Sequence, residues 1–309
     1  MASGQVSLDP SQGLKPHGYV GLAILIFAEV LLFSGQRTVG VWFTPIAWTA
    51  YILFVDALLY KFSGASLLVT DRTELVLIAV ISVACWWLFE FYNSPRFWNS
   101  DLDMWWHYHN LIPNPFLRRV GYDWAFATIF PALFETAALI ESTIFRRRFK
   151  GRPCKTSRRT LYTSVVVGAA AAALPILVVS PWLVPLVWLS FVFLLDPINE
   201  IRGWPSILGD ARSGSYRKLA SLLASGLLCG VLWEFWNYWA TAKWTYTIPY
   251  PVIVKVFEMP ILGFLGFPPF AVECWAMYIF CRSLLGPNAG SSAEPGFWFH
   301  APRPGTSQV

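Results

Sequence analysis

Eight apolar stretches punctuate this chain, at residues 19–35, 43–60, 74–93, 121–143, 161–179, 182–197, 217–240 and 256–284. Most are near the roughly 20 residues a helix needs to cross a bilayer. Hydrocarbon offers no partner for backbone N–H and C=O groups, so stretches of this kind must satisfy those groups internally, as helices. Charged residues make up 13% of the chain, about half the share of a soluble domain. The expected class is an all-α polytopic integral membrane protein with about eight transmembrane helices. The second and sixth stretches are short and begin near Pro45 and Pro185, which predicts tilted or interfacial segments.

Ordered matches show an internal repeat, a feature that must be sought before the fold is argued. Pro45, Trp48 and Asp56 recur as Pro185, Trp188 and Asp196 at an offset of 140. Leu88–Asn93 recurs as Leu232–Asn237 at 144, Trp106 and Tyr108 as Trp244 and Tyr246 at 138, and Pro131 and Glu135 as Pro269 and Glu273 at 138. Four spans per half is an even number, so the halves share one orientation, as parallel repeats do. The predicted units are an N-terminal segment (1–18), a four-helix repeat (19–145), a basic loop (146–160), a second four-helix repeat (161–285) and a disordered tail (286–309).

Residues 146–159 hold eight Lys/Arg. The positive-inside rule places that loop, and with it both termini, in the cytoplasm of a multi-pass cell-membrane protein. With that orientation 17 of the 23 Lys/Arg fall inside. The basic residues concentrate in this loop, which suits topology and anionic lipid rather than nucleic acid. Five cysteines without CxxC spacing predict free buried thiols.

Acids inside the spans carry the functional reading, because an ionisable group in hydrocarbon is costly. Glu90 with Asn93 and Glu234 with Asn237 lie three residues apart, on one helix face. Glu135 and Glu273 fall near mid-span, and tight packing would join each to the outer acid of its half. Glu258 lacks a clean counterpart, with Asp123 the nearest. Trp86, Trp87, Trp233, Trp236 and Trp275 lie within spans, where aromatic faces stabilise cations. Trp105, Trp106, Trp204 and Trp244 read as interfacial belts. His107 and His109 are matched by Thr245 and Thr247, so no metal site is expected.

The order LWEFWNYWATAKWTYTIPY…ILGFLGFPPFAVECW, echoed by LFEFYN…WHYH…VGYDWAFATIFPALFE, resembles membrane carotenoid cyclases of the lycopene cyclase domain type. The likeness covers residues 84–140 and 228–282. It implies that Glu90 and Glu234 stand at that family's helix-end acid, and Glu135 and Glu273 at its P-x-E-E acid. A single Glu stands here where the family has two.

The leading expectation is therefore a carotenoid or isoprenoid end-group cyclase. One carboxyl would protonate a double bond, π faces would hold the carbocation and a second carboxyl would take a proton, with no cofactor. The catalytic set would be Glu90, Glu234, Glu135 and Glu273. Asn93, Asn237, the five span tryptophans and Glu258 would hold substrate. The alternatives are a transporter or proton-coupled carrier with intramembrane glutamates and a non-catalytic membrane scaffold subunit. Expected partners are membrane lipid, a hydrophobic isoprenoid-type substrate and a second copy of the chain.

Overall fold

The computed structural model describes residues 13–94, 105–178, 180–247 and 254–286. The expectations for residues 1–12 and 287–309 lie outside the described residues. The chain is largely helical. Among the described residues, seven helical runs are long and apolar enough to cross a membrane: α1 (Pro16–Phe33), α2 (Arg37–Ser63), α4 (Arg72–Asn93), α5 (Pro115–Ser142), α6 (Arg158–Leu177), α9 (Arg217–Trp239) and the run Ile261–Leu284. The protein is thus a multi-pass membrane protein. The sixth predicted segment is α7 (Val184–Ile201), packed between α6 and the closing helix α10 (Phe267–Leu284).

Several predicted boundaries move. The second segment is not short: α2 runs 27 residues and takes Pro45 into its interior. The last segment is broken, because Lys255–Val256 (β3) and Met259–Pro260 (β4) form a small ribbon before a 3-10 helix, Ile261–Gly266. Two short helices, α3 (Leu67–Thr70) and α8 (Ile207–Arg212), occupy the loops before α4 and α9.

Helices α4, α5, α9 and α10 form the centre, with α1 and α2 packed on the α5 side and α6 and α7 on the α10 side. Lipid is as apolar as leucine, so helices associate through close packing and polar bonds rather than a hydrophobic drive. Both features are present in each flanking hairpin. A Cβ on Gly21 would lie 2.5 Å from Ala50 O, and one on Gly168 would lie 2.3 Å from Leu194 N. Only glycine lets those backbones meet. Asp56 accepts from Leu68 N (2.7 Å) and Ser66 Oγ (2.9 Å), while Asp196 accepts from Ile207 N (2.7 Å) and Leu208 N (3.0 Å). These buried aspartates therefore fold the loops back under their helices.

At the opposite end, Trp106–His109 (β1) pairs antiparallel with Lys243–Tyr246 (β2). The register sets Trp106 against Tyr246, His107 against Thr245 and Tyr108 against Trp244. We call this end the ribbon side, and the end carrying residues 146–159 the basic side. On the basic side Glu74, in the first turn of α4, accepts from Arg282 Nε (2.9 Å) and from the Tyr278 hydroxyl. Glu74 and Arg282 are buried, and their ion pair ties α10 to α4.

Candidate functional site

A cavity of about 790 Å³ lies in the ribbon-side half of the bundle. Its walls come from the start of α2, the ribbon-side end of α4, the outer turns of α5, the start of α7, the end of α9, the ribbon and the 3-10 helix. Aromatic rings dominate them. Trp86 packs 5.4 Å from Trp233, Trp233 lies 5.5 Å from Trp244, and Trp106 lies 5.9 Å from Trp188. Such pairs add about 0.5–1.5 kcal/mol each beyond area burial, so the cavity is held open by a braced aromatic frame.

The helix-end acids stand directly behind this wall. Glu90 accepts from Tyr108 OH (2.5 Å), Trp86 Nε1 (2.9 Å) and Trp106 Nε1 (3.2 Å). Glu234 Oε1 accepts from Tyr246 OH (2.6 Å), which in turn accepts from Trp244 Nε1 (2.6 Å). The lining contains Tyr108 and Tyr246 but neither glutamate, so a phenol separates each carboxyl from the cavity. Burial first, and the adjacent Glu second, push both ribbon phenols well above the ordinary tyrosine range. They stay protonated and donate to their glutamates. The second oxygen of Glu234 is buried with no hydrogen-bond partner among the described residues, which leaves room there for a proton.

Both asparagines bond the ribbon. Asn93 Oδ1 accepts from Trp105 N (3.0 Å) and Trp106 N (3.1 Å), and its amide donates to Trp106 O (2.9 Å). Asn237 does the same for Trp244, at 2.9 and 2.8 Å. Three helical residues after each acid, an amide fixes the strand that carries the acid's tyrosine.

The mid-span acids are elsewhere. Glu135 accepts from Leu67 N (3.1 Å), below the start of α4 on the basic side. Eighteen residues of α4 separate Arg72 from Glu90, about 27 Å at a helix's rise per residue. Glu90 and Glu135 therefore are not brought together. Glu273 accepts from Phe191 N (2.9 Å) in the middle of α7, and its other oxygen is buried without a partner among the described residues.

Trp86 and Trp233 line the cavity; the other three span tryptophans do not. Trp87 donates to Asp123 (2.7 Å) beneath the Arg119 guanidinium. Trp236 packs on Trp48 and donates to Glu29 Oε1 (3.0 Å). Trp275 packs against Phe134 toward the basic side. Helices apolar all round give no sequence cue to which face meets a cavity. Glu258 pairs with Lys243 (2.7 Å) at the rim. Trp106 and Trp244, expected in interfacial belts, are cavity wall. The recurring W-x-Y step was the signal that could have placed them and the two tyrosines.

Comparison with protein-family profiles, characterised proteins and solved structures finds no match. The site must be read from its own chemistry. Among the described residues, no three His, Cys, Asp or Glu side chains gather in a metal-binding group. His107 and His109 instead bond Thr247 and Thr245 across the ribbon (2.9 and 2.8 Å).

Proposed function

We propose that this protein is a proton-coupled carrier for an elongated, isoprenoid-type amphiphile, built from two parallel four-helix repeats. The observation that carries the reading is the cavity: it lies between the two halves, reaches the ribbon side, and is closed toward the basic side. On the basic side of the lining residues Ile129 and Phe270, Phe134 packs against Trp275 (5.4 Å), and the buried Glu74–Arg282 pair lies further along the same helices. A site between halves, accessible from one side and sealed on the other, is the starting state of alternating access. Glu135, Glu234 and Glu273 each have one buried oxygen without a hydrogen-bond partner among the described residues, and we take Glu234, behind the cavity wall, and Glu273 as the proton sites. With the basic side in the cytoplasm, the ribbon side faces out.

Matched packing supports the repeat. Phe89 stacks on Trp188 at 5.2 Å where Trp233 meets Trp48 at 5.8 Å. Tyr92 meets Phe191 at 6.2 Å where Trp236 meets Tyr51 at 6.0 Å. In both sets a helix of one half packs on the hairpin of the other. The ribbon register is also its own mirror at the offset of 138, since Trp106 and Tyr108 meet the counterparts of Tyr108 and Trp106.

The test is reconstitution with a pH-reporting dye inside the vesicles. Addition of a prenyl-chain amphiphile should move protons, and Glu234→Gln and Glu273→Gln should abolish that movement. Proton movement that persists in both variants removes the coupling.

A second reading, an isoprenoid cyclase, is favoured by one observation: the Tyr108–Glu90 and Tyr246–Glu234 pairs abut an aromatic cavity that would shelter a carbocation. Each phenol donates to its carboxyl (2.5 and 2.6 Å) and stands between it and the cavity, so in this reading the proton would reach the substrate through the phenol. Expression in a lycopene-producing host separates the two, because a cyclised pigment supports the enzyme and unchanged lycopene does not.

A further inference from the structure

Within the carrier reading, the cavity also bears on what its passenger must look like. Its mouth lies between the 3-10 helix and the first turns of α5. Leu262 and Leu265, both in the lining, are 71% exposed, and Phe116, in the first turn of α5 just before the lining residue Arg118, is 73% exposed. A water-facing rim of this kind would be a large apolar patch without cover; in a membrane it faces acyl chains. The passenger's apolar body therefore arrives from the ribbon-side leaflet.

The charges in the lining have one sign. Arg118 and Lys243 are its only charged side chains among the described residues, and no carboxylate lines it. Lys243 is neutralised by Glu258 at 2.7 Å. Arg118 is not: its Nε donates to Ile112 O (2.9 Å) and an Nη to Pro113 O (3.0 Å), and no carboxylate pairs with it among the described residues. Those carbonyls fix the guanidinium plane without cancelling its charge. The residue also sits in the opening turns of the 28-residue α5, at the positive end of that helix. An oriented, uncompensated guanidinium beside a helix N-terminus suits a phosphate or carboxylate.

We infer that the passenger is an anionic amphiphile, with its prenyl or acyl body in the aromatic cavity and its acidic head on Arg118.

Three rod-shaped fluorophores of one body test this: neutral diphenylhexatriene, its propionate and its trimethylammonium derivative. Binding to the full chain in nanodiscs is read by energy transfer from the cavity tryptophans. The propionate is expected to bind about tenfold tighter than the neutral rod, the worth of one charge-assisted hydrogen bond, and the cation most weakly. Arg118→Gln should erase the advantage of the propionate and leave the neutral rod unchanged, which also reports that the variant is folded. Equal binding of neutral and anionic rods, or an anionic preference that survives Arg118→Gln, overturns the inference while leaving the carrier reading in place. Saturable binding of no rod at all removes both.

Discussion

Arg282 Nε lies 2.9 Å from Glu74 Oε1 and joins the last helix to a residue 208 positions earlier. Neither side chain sees solvent. Breaking such a pair leaves one charge stranded, at a cost of about 3–5 kcal/mol, whereas removing both charges together is far cheaper. Arg282→Met should therefore unfold at markedly lower denaturant than wild type. The double variant Glu74→Gln/Arg282→Met should recover most of that loss. A double variant no more stable than Arg282→Met would mean that the two charges do not depend on each other.

The ribbon hangs on two asparagines. Asn93 makes three backbone bonds and Asn237 two. Replacement by alanine strands buried backbone groups, each worth about 1–3 kcal/mol. Asn93→Ala should be the more destabilising of the pair in thermal unfolding. Both should weaken fluorophore binding, because Tyr108 and Tyr246 ride on the strands these amides hold.

The two helix-end acids should respond differently to the same change. Glu90 is surrounded by two indole N–H groups and a phenol. A glutamine there sets its own N–H donors against donors, so Glu90→Gln should lower stability by about 1–3 kcal/mol. Glu234 accepts from one phenol and has a bare oxygen. Glu234→Gln should keep the melting temperature and lose the pH dependence of transport. Equal destabilisation by both variants would contradict the assigned environments.

Much of this site was legible before the structure. Glu234 and Asn237 stood out because a carboxyl inside an apolar span is costly, and the repeat paired them with Glu90 and Asn93. The tyrosines were matched but had no assigned role, because their function depends on a ribbon joining strands about 138 residues apart, a non-local pairing that periodicity does not encode. The pairing of Glu74 with Arg282 drew no reading from the sequence, because it joins residues 208 positions apart. Glu135 was placed at mid-depth because the start of α5 was set at residue 121 rather than Pro115.

Tyr108 and Tyr246 give a pH prediction. Burial favours the neutral phenol, so each folded-state value lies above the unfolded one. Their stabilising contribution is complete below about pH 10, the unfolded tyrosine value, and is lost as pH rises toward the elevated folded value. Absorbance near the phenolate band should thus show no difference between wild type and Tyr108→Phe/Tyr246→Phe below that pH. A missing phenolate signal in the variant at lower pH would place these phenols in contact with water.

Transbilayer transfer of a labelled amphiphile reports movement through the site between the halves. Vesicles carrying a nitrobenzoxadiazole-labelled prenyl phosphate in both leaflets are treated with external dithionite, which bleaches only the exposed half. With the wild-type protein reconstituted, bleaching should run past one half toward completion, faster with a proton gradient and slower in Glu234→Gln. Bleaching that stops at one half, as in protein-free vesicles, with the protein shown to be folded and inserted, would contradict the account.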